Sequence, residues 1–122
     1  MKTVAVIGAS TNRAKFGNKA VRAFAEAGYR VIPITPRHAE VEGLPAYPAV
    51  TDVPGPIDMV TIYVPPEVGE TLVAGLAAKG VGEVWLNPGA ESPDLVARLT
   101  AAGLAPIEAC SIVGIGLSPA RF

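Results

Sequence analysis

The segment of this sequence best equipped to hold an anion is Val6-Ile7-Gly8-Ala9-Ser10-Thr11-Asn12. A short apolar run ends in a glycine and a small residue, and then Ser10, Thr11 and Asn12 offer side-chain donors. Gly8 permits a tight turn and close backbone approach. The free N–H groups at the start of a following helix point toward whatever sits there. A phosphate in such a position gains up to about 2 kcal/mol when partly buried. Lys15 lies close enough in sequence to add a point charge. The dinucleotide fingerprint G-x-G-x-x-G is absent, since Ser10 stands two after Gly8 and the next glycine is Gly17. No Gly-Lys-Ser/Thr triplet occurs either, which excludes a Walker A loop.

The second informative stretch is Ile34-Thr35-Pro36-Arg37-His38. Domains that bind NAD place an acid about 20 residues past their glycines, where it holds the ribose hydroxyls. Here a basic pair takes that place. The planar fork of an arginine suits a ribose phosphate, and NADP and coenzyme A both carry one. Pro36 and Arg37 are therefore candidate ligand residues, and His38 is a weaker one.

Catalysis finds less support. Ser10 lacks a Gly-x-Ser-x-Gly elbow, and His38 is the single histidine. Cys110, the single cysteine, and His38 both follow strands, so a thiol pair on one edge is conceivable. A buried, inert thiol is the expectation instead, because free Cys is among the most buried residue types. Asp52, Asp58, Glu83 and Glu91 are scattered, and one His with one Cys does not make a zinc site. Trp85 and Phe16 could stack on an adenine, but apolar strand or helix residues are more often core, and both are read so. The expectation is a chain without a catalytic constellation and without a metal.

The elements that must position these residues alternate. Val4 to Ile7, Arg30 to Thr35, Met59 to Val64, Glu83 to Leu86 and Leu104 to Ile107 read as buried strands. Pro33 requires a place where no ladder N–H is needed. Gly17 to Ala27, Glu67 to Lys79 and a segment from Ser92-Pro93 to about Ala102 read as helices, with glycines closing each. Residues 36–56 are rich in Pro and Gly and predict little regular structure. The apolar tail from Cys110 to Phe122 is compatible with a partner surface, an edge strand or a cover for the core. Alternation of this kind predicts one α/β domain over residues 1–122, a Rossmann-like three-layer fold with a five-stranded parallel sheet and helices on both faces. Ligands of such sheets bind beyond the carboxyl ends of the strands.

Composition sets the remaining bounds. Half of the 122 residues are hydrophobic and 17% are charged, with a formal net charge of −1. That fills a core and argues against disorder. It also argues against nucleic acid as a partner, which needs clustered Lys and Arg. No signal peptide or membrane-length apolar run is found, so the expectation is a cytoplasmic protein. A homo-oligomer is left open.

Taken in order, these segments resemble the CoA-binding domain family. The resemblance rests on Gly8-Ala9-Ser10, Gly28-Tyr29-Arg30-Val31-Ile32-Pro33 leading to Thr35-Pro36, Ile57-Asp58, Val84-Trp85-Leu86-Asn87-Pro88-Gly89 and the late Cys110. Ile62-Tyr63-Val64-Pro65-Pro66 is similar to the same segment in the α-subunit of succinyl-CoA synthetase. The resemblance implies coenzyme A as the small-molecule ligand. Its pyrophosphate would lie over Gly8, Ala9 and Ser10, with Thr11 and Lys15 nearby. Arg37 would stand near the 3′-phosphate or the pyrophosphate. Val64, Pro65 and Pro66 would wall the adenine, and Asn87 and Gly89 would line the pantetheine side. Ligase chemistry does not carry over, because His38 does not match the phosphorylated histidine of that subunit. The alternatives are an NADP-binding, reductase-like domain and an interaction domain that has lost its ligand.

Overall fold

The computed structural model describes Met1–Phe122. Strand β1 (Thr3–Ile7) lies in a five-stranded parallel sheet with β2 (Arg30–Ile34), β5 (Met59–Ile62), β6 (Glu83–Leu86) and β7 (Ala105–Glu108), in the order β2-β1-β5-β6-β7. The chain leaves β1 toward one side, to β2, and returns to the other, to β5. The strand order therefore reverses at β1, and a crevice opens there outside the carboxyl ends of the strands.

All five residues of β1 are buried, and they alternate between two cores. Val4 and Val6 pack with Val21, Phe24 and Ile112 on one face. Ala5 and Ile7 pack with Leu76, Leu95 and Leu99 on the other. A strand apolar throughout is what a sheet covered on both sides requires. Helix α1 (Phe16–Glu26) covers the first face. Helices α2 (Pro66–Glu70), α3 (Val73–Lys79) and α4 (Pro93–Ala101) are on the second. Ser92 caps α4 through its hydroxyl, which accepts from the Leu95 N–H at 3.0 Å, and Pro93 takes the first position. No helix is long and apolar enough to cross a membrane.

Pro33 costs the ladder nothing. Ile34 turns its carbonyl to β1, accepting from the Gly8 and Ala9 N–H groups at 3.2 and 3.3 Å, whereas the Pro33 carbonyl faces the outer edge and accepts from the Tyr47 N–H at 3.0 Å. Its missing N–H lies on that same outer side.

Two regions depart from the sequence reading, and in a third the structure selects one of the alternatives left open. Residues 36–56 hold a small hairpin, β3 (Glu40–Val41) and β4 (Leu44–Pro45), and a 3-10 turn at Val50–Asp52. The helix expected over Glu67 to Lys79 is two helices, α2 and α3, parted at Thr71-Leu72, where the Thr71 hydroxyl donates to the Val68 carbonyl. The tail folds as a short helix α5 (Ser111–Gly114) and a 3-10 turn at Pro119–Arg121. It covers the core: Ile112 is fully buried, and Gly114 lies so close to the Trp85 ring that a Cβ there would fall 2.8 Å from it.

Candidate functional site

A cavity of about 1260 Å³ runs along the carboxyl edge of the sheet, larger than the roughly 300–1,000 Å³ usual for small-molecule sites. Of the residues singled out from sequence, Gly8, Ala9, Ser10, Lys15, Pro36, Arg37, Val64, Pro65, Asn87 and Gly89 line it. Thr11 and Pro66 do not. Thr11 sits on the rim, its hydroxyl 3.5 Å from Nε2 of His38, and Pro66 is taken up as the first residue of α2.

Two glycines fix the loop that leaves β1. Gly8 has φ +88°, a conformation open to glycine. A Cβ on Gly8 would meet Val64 Cγ1 at 3.1 Å and the Tyr63 carbonyl carbon at 3.2 Å. The close approach of the β5 loop thus requires a glycine here in addition to the tight turn read from the sequence. A Cβ on Gly17 would fall 2.0 Å from the Gly8 carbonyl oxygen, so α1 can dock against the end of β1 only at a glycine. Within the loop, the Ser10 hydroxyl accepts the Asn12 N–H at 3.0 Å and the Asn12 side chain accepts the Ala14 N–H at 3.0 Å. No side chain caps α1 at Lys15; the Asn18 N–H bonds the Lys15 carbonyl at 3.0 Å, and the Phe16 and Gly17 N–H groups are left without a partner in the protein.

The charges on the cavity wall have one sign. The charged residues on the wall are Lys15 and Arg37, and no Asp or Glu lines it. Lys15 and Arg37 enter none of the ion pairs, which are Arg13–Glu42, Arg98–Glu70 and Arg121–Glu26. Arg37 is placed by Thr35, a buried residue whose hydroxyl accepts the Arg37 N–H at 3.2 Å.

Asn87 lines the cavity and also joins the scaffold. Its Nδ2 donates to Thr61 Oγ1 at 2.7 Å and to the Ile62 carbonyl at 2.9 Å, while its Oδ1 accepts the Ser111 N–H at 2.9 Å. Both amide hydrogens are spent within the protein, so Asn87 ties β5, β6 and α5 together. Ser111 completes the cluster, its hydroxyl 2.7 Å from Thr61 Oγ1 and 3.2 Å from the Tyr63 hydroxyl. Burial pushes the Tyr63 phenol above its ordinary pKa, against the opposing pull of the Ser111 and Thr61 hydrogen bonds.

The sequence reading missed a second wall. Pro48, Val50, Val68 and Leu72 close the cavity from the side of α2 and α3. Phe16, read as core, is half exposed and lines the cavity instead, its ring nearly parallel to that of Tyr63 at 6.5 Å. Trp85, by contrast, packs in the core as expected. Cys110 is partly exposed on the cavity wall, which corrects the expectation of a buried thiol.

Fold and crevice together define an α/β domain whose ligand site, at a topological switch point, has a cationic end and an apolar end. The family description "CoA binding domain" matches residues 2–115, and the chain belongs to that family. It is 35% identical over 88 residues to the α-subunit of the ADP-forming acetate–CoA ligase II of Pyrococcus furiosus, covering 70% of this chain and 19% of that subunit. Against the ADP-forming acetate–CoA ligase I of Archaeoglobus fulgidus it is 34% identical over 89 residues, 72% of this chain and 13% of the relative. The chain thus spans less than a fifth of the length of these relatives. A conserved hypothetical protein of Pyrococcus furiosus superposes with a TM-score of 0.84 at 31% identity, over 93% of this chain and 99% of that one.

Proposed function

We propose that the chain binds coenzyme A along this edge and catalyses no reaction of its own. The phosphates lie over Gly8, Ala9 and Ser10, where the first turn of α1 and Lys15 offset their charge. Arg37 takes the 3′-phosphate by its planar fork. Val64 and Pro65 supply apolar surface for the adenine, and the pantetheine arm runs toward Gly89. The observation that carries this reading is the wall itself: unpaired cations, no carboxylate, and a glycine loop at the strand-order reversal. Membership in the family supports the choice of coenzyme A over NADP.

A nucleophile needs a base within reach. The Ser10 hydroxyl has no base among its hydrogen-bond partners, its oxygen accepting the Asn12 N–H, and the one hydroxyl beside His38 is that of exposed Thr11, at the long distance of 3.5 Å. The ligase activity of the relatives belongs to far longer chains and is not carried over.

Calorimetric titration with CoA, NADP and NAD tests the reading. Micromolar CoA binding with weaker NADP and NAD binding is expected. Preference for NADP would favour a reductase-like domain, and binding of none would leave an interaction domain.

A further inference from the structure

Glu42 is the one non-glycine residue of the chain with positive φ, at 49°. With Gly43, φ 75°, it forms the two-residue turn between Val41 of β3 and Leu44 of β4. Hairpin turns with both central φ values positive are filled with least strain by Asn-Gly. A residue with a long side chain is strained there. The turn itself has no use for a glutamate, but the carboxylate has one elsewhere. Its Oε2 accepts from Asn18 Nδ2 at 3.0 Å. Asn18 is fully buried. The same amide nitrogen donates to the Ser10 carbonyl at 2.9 Å, and Asn18 Oδ1 accepts from Arg22 Nε at 2.7 Å. Arg22 also donates to the Arg13 carbonyl at 2.8 Å. The loop is therefore held at two carbonyls by groups that do not line the cavity.

We infer that Glu42 is a positioning residue for the ligand loop, seated at a strained turn because its carboxylate, through Asn18, fixes the backbone of Ser10. This rests on the reading of that loop as the ligand site. With the carboxylate in place, each polar atom of the buried amide has a partner, and the amide has one orientation. Without it, one Nδ2 hydrogen is buried without an acceptor. The amide then gains by turning away, and Ser10 is released. The ligand must then order the loop itself, which weakens binding.

Two variants separate this role from a merely structural one. In Glu42→Asn the turn is relieved, but the side chain is too short to reach Asn18. Relief of the turn and loss of the Asn18 hydrogen bond oppose each other, so its melting temperature is expected within a few degrees of the wild type, while the Kd for CoA rises roughly tenfold, as for a loop correctly placed about a tenth of the time. Glu42→Gln keeps both reach and acceptor, and should bind within about threefold of the wild type. Hydrogen exchange in the ligand-free protein gives a second readout: the Asn12 and Ala14 amides, protected within the loop, should exchange faster in Glu42→Asn. Wild-type CoA affinity in Glu42→Asn, or the same loss of affinity in Glu42→Gln, overturns the proposal. If the wild type binds no CoA, the ligand reading falls by itself, and unchanged exchange would still overturn the positioning role.

Discussion

At the carboxyl ends of β1 and β2, Lys15 and Arg37 are exposed and outside every ion pair. At the ends of β5 and β6, a few residues along the same cavity, Thr61, Asn87 and Ser111 are buried and spend their hydrogen bonds on one another. Both clusters are polar and both follow parallel strands. Their residue types do not distinguish a binding end from a scaffolding end; the hydrogen-bond accounting does. Polar groups left free at the first end are available to a ligand, whereas those at the second hold α5 against the sheet.

Asn87→Ala puts the largest strain on this contrast. It leaves the Ser111 N–H and the Thr61 hydroxyl short of a partner in a buried site, so urea denaturation should show a loss of about 3 kcal/mol. The protein that remains folded should bind CoA within about threefold of the wild type. A collapse of affinity without loss of stability would move Asn87 into the binding end. Arg37→Ala should do the reverse. Stability should stay within about 0.5 kcal/mol, while calorimetry should show CoA binding weakened by about 1.5–3 kcal/mol and dephospho-CoA binding much less. Equal losses for the two ligands would remove Arg37 from the 3′-phosphate.

Tyr63→Phe is the smallest of these changes, at about 1 kcal/mol for the lost hydrogen bond to Ser111. It also sharpens the contrast through pH. Burial raises the Tyr63 pKa above its ordinary value, so the folded chain keeps the phenolic proton longer than the unfolded chain does. Below about pH 10 the proton is on in both states and the contribution is full. Above it the unfolded chain ionises first and stability falls. Denaturation curves measured on either side of that pH should show the fall in the wild type and a smaller one in Tyr63→Phe.

The sheet was legible because its strands are mostly apolar runs, several of which are soon followed by a glycine or proline, as at Ile7-Gly8 and Ile62 to Pro65. The polar half of the cavity was legible for the same reason: Gly8, Ser10 and Arg37 lie next to strand ends, and topology places strand ends together. Of the apolar wall, Val64 and Pro65 were legible, but Pro48, Val50, Val68 and Leu72 were not. Val50 and Pro48 come from a stretch whose hairpin strands are two residues each, too short for any periodicity. The scaffold role of Asn87 was hidden because its local signal, Asn-Pro-Gly, marks a turn, and nothing nearby in sequence reveals Ser111. The split of the helix after Glu70 follows from local competition by the Thr71 hydroxyl for a backbone carbonyl. The buried place of Ile112 is visible only once α5 is laid on the sheet.

The most direct test of the central claim is a map of backbone amide chemical shifts during titration with CoA. The account predicts the largest changes at Gly8, Ala9, Ser10 and Arg37, with small ones at Asn87 and Ser111. Changes centred on Asn87 and Ser111, with the Gly8 to Ser10 loop unmoved, would contradict it.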